Sequence, residues 1–195
     1  MRPEETFVRS VVDALQEHGQ AATQFVTAHL DRDVAGVPDI VFSPNEPEGR
    51  VVCVEVRQSS VPISGVSFDR VLQHRQAIVE ANPGVVYALA TDAKLVGPAA
   101  KAALSGVLTV LPVDWDDPAG LAFGIEVLSM PPARPTMYRD QESLFRAMAD
   151  PSITMLAVSA LVPLTRRQVE GWSVIYGEQV DGERATLLVR RGYPT

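Results

Sequence analysis

Two carboxylates interrupt apolar strand-like runs in this chain. Asp39, in Pro38-Asp39-Ile40-Val41-Phe42, breaks the first. Glu55 breaks the second, following Val51-Val52-Cys53-Val54, and fifteen residues separate the two acids. A carboxylate in a buried strand is costly unless it is paired or binds a cation. Two of them on consecutive strands invite a shared partner. Side chains alternate faces along a strand, so Glu55 and Arg57 fall on the same face. A cation could then sit between Asp39 and Glu55, with Arg57 beside it. A plainer arrangement fits the same residues: a Glu55–Arg57 salt bridge at a sheet edge, with Asp39 capping a turn.

Other candidates are weaker. His18, His29 and His74 are too scattered for a zinc site, and Cys53, the single cysteine, lies in an apolar run and reads as a buried thiol. Ser59 and Ser60 lack a convincing histidine–acid partner. No glycine-rich phosphate loop or dinucleotide fingerprint occurs.

The elements that must position these residues can be read in order. A helix is expected from about Pro3 to His18, with Pro3 at its first position, Glu4 and Glu5 complementing its dipole, and Phe7, Val8, Val11, Val12 and Leu15 forming one stripe. Strands are expected at Gln24–Leu30, Val37–Phe42 and Arg50–Arg57, the last two joined by a Pro/Gly-rich loop and therefore antiparallel. A helix from about Phe68 to Ala81, with Ser67 as its cap, leads to an apolar strand at Val85–Ala90. That strand should lie parallel to Arg50–Arg57 through a right-handed crossover. A short helix at Pro98–Gly106 and a strand at Val107–Val113 follow. The fold class is α/β: a mixed sheet with helices on both faces.

This segment resembles the restriction-endonuclease-like superfamily, the PD-(D/E)XK phosphodiesterases. Pro38-Asp39 matches the first half of that signature, and Glu55-Val56-Arg57 nearly matches the second, with arginine where the family has lysine. The order helix, three strands, helix, strand is also that family's core, and the resemblance covers roughly residues 1–113. It implies that Asp39 and Glu55 hold Mg²⁺ or Mn²⁺, completed by an acid on the first helix, Glu5 or its neighbour Glu4. Asp39, Glu55 and Arg57 would be the catalytic residues. Gln73, Arg75 and Gln76, on the helix after the third strand, would approach the nucleic acid; read without the family, Gln73, His74 and Arg75 fall on the solvated side of that helix. Arginine keeps the positive charge that lysine would supply, but it cannot give up a proton.

The chain has 195 residues, 46% of them hydrophobic and 21% charged, with a net charge of −7. That is enough to bury a core without disulfides and corresponds to one or two domains. The composition excludes a wholly disordered chain. The most apolar stretch, Ile153 to Leu164, falls short of the roughly 20 residues a membrane-spanning helix needs. The start, Met-Arg-Pro-Glu-Glu, has no apolar signal core, so a cytoplasmic protein without a membrane partner is expected. Residues 1–118 hold 9 Lys/Arg against 16 Asp/Glu, while residues 119–195 hold 8 of each. A free-standing, strongly basic nucleic-acid binder is thereby excluded. Any such role must use a local patch, a metal ion or a protein partner, including a further copy of the chain.

The expected organisation is an α/β domain over residues 1–118, a strand (Leu121–Leu128) and Pro-rich linker over 119–138, and a small α+β region over 139–195. In the last, a helix at Gln141–Ala149, a short helix at Thr165–Trp172 and a hairpin around Asp181-Gly182 sketch a winged helix. Arg166 and Arg167 would then reach nucleic acid from a recognition helix. Two functions follow as expectations. One is a metal-dependent nuclease, or a nuclease subunit of a DNA restriction or repair assembly, with DNA ahead of RNA as partner. The other is a catalytically inactive member that serves as a scaffold or nucleic-acid-docking subunit.

Overall fold

The computed structural model describes residues 3–23, 38–58, 65–92, 108–131 and 134–192. The expected strand at Gln24–Leu30 and helix at Pro98–Gly106 lie outside the described residues, as do His29, Ser59 and Ser60.

Helix α1 (Pro3–Leu15) buries its whole expected stripe, Phe7, Val8, Val11, Val12 and Leu15. Gly19, expected only to stop that helix, instead opens strand β1 (Gly19–Thr23), which pairs antiparallel with β2 (Ile40–Pro44). A Cβ at Gly19 would lie 2.4 Å from the Ser43 carbonyl oxygen, so only glycine allows the strands to approach this closely. β2 runs antiparallel to β3 (Val52–Arg57). Helix α2 (Gly65–Ala81), which starts before Ser67, crosses over to β4 (Val86–Asp92), parallel to β3. β5 (Thr109–Val113) is parallel to β4 in turn.

Residues 121–128 are not a strand. They belong to helix α3 (Pro118–Ser129), with Pro118 at its first turn and the Asp117 side chain accepting from the Gly120 amide at 2.9 Å. α3 is apolar nearly all round and packs against both α1 and the sheet, so its sequence carries no clear helical stripe. After β6 (Met137–Tyr138) come the expected helix α4 (Gln141–Ala149) and β7 (Met155–Ser159).

The short helix expected at Thr165–Trp172 does not form. Residues 166–171 make successive turns that end at Gly171, whose φ of +81° only glycine adopts freely. The winged-helix outline needs that helix. Instead, β8 (Trp172–Val180) and β9 (Glu183–Arg190) form the expected hairpin, with Asp181 and Gly182 both left-handed at φ 49° and 82°, and this hairpin joins the main sheet.

The result is a mixed α/β sheet of nine strands in the order β1-β2-β3-β4-β5-β8-β9-β7-β6. One core cluster lies between α1, α3 and the sheet and extends into β7, β8 and β9 through Ala157, Ile175, Ala185 and Leu187. On the opposite face α2 covers Cys53, Tyr87, Leu89 and Val110. Further along that face α4 covers Leu156, Trp172 and Leu188. β5 and β8 pair only at Val110–Tyr176 and then diverge.

Candidate active site

Asp39 sits at the bend that enters β2. The register pairs Ile40 with Val54, and one step further out sets Asp39 opposite Glu55. Opposed residues of an antiparallel pair share a face. The Asp39 carboxylate is fixed there by the Val56 amide, which donates to Oδ2 at 2.8 Å. Glu55 is buried within β3 at 4% exposure. The Arg57 guanidinium, two residues on and about half exposed, donates to Glu55 Oε1. The constellation therefore lies at the carboxyl ends of the parallel strands β3 and β4, the end of an α/β sheet where ligands bind.

Both acids are hard to ionise. Burial, then the charge of Glu55, raise the Asp39 pKa to about 7, and Glu4 adds to the rise. The Val56 amide and Arg57 pull the other way. Glu55 is raised by burial, opposed by Arg57 and reinforced by Glu4. Two buried acids thus share one place beside a single guanidinium, and a divalent cation there would favour their ionised forms.

The acid on α1 whose charge reaches the pair is Glu4. Glu5, also expected there, accepts instead from Arg9 at 3.1 Å along the helix. Among the described residues, no group of three or more His, Cys, Asp or Glu side chains is arranged to hold a metal ion. What the site offers is two carboxylates from adjacent strands. That oxygen-only donor set suits a hard cation that keeps most of its water, as Mg²⁺ does.

On α2, Gln73 and Gln76 are exposed and Arg75 is partly buried; Gln76 donates to Glu80 at 2.8 Å. His74, expected on the solvated side, instead turns inward, with Nδ1 4.0 Å from Glu55 Oε1. The spacing Val71, His74, Ile78 placed it on the packed stripe and could have revealed this. No charge or spacing in the sequence singles out Tyr87. It lies on β4 opposite Cys53, one step diagonal from Glu55.

Arg166 and Arg167 are remote from the acids in the chain. They line a cavity of about 790 Å³ that opens where β5 and β8 diverge, at the carboxyl end of β5, together with Arg191, Asp114, Asp117 and Glu170. Arg166 stands 3.5 Å from Asp114, and Arg191 2.9 Å from Asp117. The arginines here therefore face an equal number of acids. Comparison with known protein families, curated proteins and solved structures finds no match to this chain.

Proposed function

We propose that this chain is a metal-dependent nucleic-acid phosphodiesterase of the restriction-endonuclease-like kind, acting alone or as the nuclease subunit of a DNA restriction or repair assembly. The observation that carries the reading is the juxtaposition of Asp39 and Glu55 across the β2–β3 pair, with Arg57 on the same site. The order α1-β1-β2-β3-α2-β4, with those four strands adjacent in the sheet, supports the same reading.

Asp39 and Glu55 would hold Mg²⁺ or Mn²⁺, with Glu4 contributing charge. When bound, such an ion polarises the phosphodiester and helps generate hydroxide for in-line attack. Arg57 is placed to stabilise charge that develops on the phosphoryl oxygens, by electrostatics alone, since a guanidinium does not release its proton. Gln73, Arg75 and Gln76 would meet the nucleic acid from α2. Arg166 and Arg167 would meet it two strands away, at the carboxyl end of β5. DNA is favoured over RNA as the substrate, and the acidic balance of residues 1–118 favours a protein partner that brings the strand to the site.

One observation favours a second reading, a non-catalytic scaffold or docking subunit. The Arg57 guanidinium is folded onto Glu55 Oε1, an oxygen that a metal ion would need. A cleavage assay separates the two. Single-stranded, duplex and branched substrates are incubated with Mg²⁺ or Mn²⁺ and either the native chain or the Asp39→Ala/Glu55→Ala variant. Cleavage that the variant loses supports the nuclease. Nucleic-acid binding without cleavage by either protein supports the docking subunit. Equal cleavage by both proteins removes the acids from the chemistry.

A further inference from the structure

Six buried side-chain polar atoms lack a hydrogen-bond partner among the described residues, and three of them, His74 Nδ1, Tyr87 Oη and Thr91 Oγ1, belong to residues on the side of the sheet that carries Glu55. The others, on Arg9, Trp115 and Ser173, are scattered. The β3–β4 register explains the grouping. Tyr87 pairs with Cys53, Leu89 with Glu55 and Thr91 with Arg57, so Tyr87 and Thr91 flank Glu55 on the face that α2 covers. His74 reaches the same carboxylate from α2. Tyr87 is 4% exposed and Thr91 0%. Buried hydroxyls of this kind are nearly always paired. Three unpaired groups on the side of the sheet that carries this buried acid indicate a polar ligand that the fold is built to receive.

We propose that His74, Tyr87 and Thr91 form a hydrogen-bonding wall for the water shell of a divalent cation held by Asp39 and Glu55. The proposal rests on the metal-binding reading of those two acids and goes beyond it by assigning the wall. With only two carboxylates to offer, the protein must leave most of the ion's coordination to water, and a cation such as Mg²⁺ keeps that water readily. Bound water needs fixed hydrogen-bond partners, and groups placed this way tune metal affinity strongly without touching the ion. The three residues are positioning residues. They act through the ion's water and do not contact the ion itself.

The test uses Tyr87→Phe and Thr91→Val, each of which removes one hydroxyl and leaves the shape nearly intact. The native chain and each variant are melted in EDTA and titrated calorimetrically with MnCl₂ and MgCl₂. In EDTA both variants should melt at or above the native temperature, because an unpaired buried hydroxyl has been removed. Their affinity for Mn²⁺ should fall 10- to 100-fold, with a smaller metal-induced rise in melting temperature. Native Mn²⁺ affinity in both variants would overturn the wall and leave the acids as the whole site. Melting below the native chain in EDTA would also overturn it, since the hydroxyls would then serve the fold. If the native chain binds neither ion, the reading of the acids fails, and the wall with it.

Discussion

The Asp39 carboxyl is held at a place that resists its charge, so removing that charge should stabilise the apo protein. Asp39→Asn is the cleanest perturbation, because the amide oxygen can still accept from the Val56 amide. The carboxyl is raised from 3.8 to about 7, by burial first and the Glu55 charge second. A pKa that is higher in the folded chain means that protonation favours folding. The contribution is complete below the unfolded value and disappears as pH rises through the folded one. Each pKa unit corresponds to about 1.4 kcal/mol, which puts a ceiling of about 4 kcal/mol on the effect. Asp39 is only partly buried, and solvent reaching it reduces the expected gain to about 2 kcal/mol. Urea denaturation in EDTA at pH 4 and pH 8 measures this. The variant should match the native chain at pH 4 and exceed it by about 2 kcal/mol at pH 8, or roughly 4–8 °C in melting temperature. With Mn²⁺ added at pH 8 the order should narrow or reverse, because only the native chain keeps both acids for the ion. A variant less stable than the native chain at pH 8 in EDTA would refute the reasoning, since the carboxylate would then be well compensated without metal.

Arg57→Ala should lower stability at pH 8 by about 1 kcal/mol, because the half-exposed guanidinium opposes the burial penalty on Glu55. It should also reduce any metal-dependent cleavage by about 100-fold while sparing Mn²⁺ binding, as denaturation, kinetics and calorimetry would show. Asp117→Ala removes the cap on α3 and should cost about 1 kcal/mol in urea denaturation, with no effect on metal binding. Leu188→Ala, at a fully buried position packed with Leu144, Leu156 and Trp172, should cost about 3 kcal/mol, followed by tryptophan fluorescence on unfolding.

The sequence made the site legible where a charge broke an apolar run. Asp39 and Glu55 stand out because a strand that is otherwise buried has no cheap place for a carboxylate, and the loop between them implied the antiparallel pairing that sets them opposite each other. His74 and Tyr87 were hidden for the opposite reason. Each is an amphipathic residue that fits a packed face without comment, and only the β3–β4 register and the turn of α2 show that they face Glu55. Glu4 and Glu5 adjoin on one helix turn, and packing alone decides which of them looks toward the acids.

In the second part of the chain, the Asp181-Gly182 turn was plain, because two left-handed positions in a row demand those residue types. Leu121–Leu128 resembles a strand in sequence because a helix buried nearly all round loses its 3.6-residue stripe, leaving only Asp117 and Pro118 to announce it. The eight residues Thr165–Trp172 mix polar and apolar types in a way that mimics a short helix while the chain is turning toward Gly171. The joining of β8 to β5 rests on a contact between strands more than sixty residues apart, at Val110–Tyr176, and no local pattern encodes it.

The central claim is that Asp39 and Glu55 share one divalent ion. Crystals grown in MnCl₂ and measured near the manganese absorption edge test it most directly. The account predicts a single strong anomalous peak bonded to both carboxylates, with the Arg57 guanidinium turned away from Glu55. A map with no peak between the two acids, and Arg57 still resting on Glu55, would contradict it.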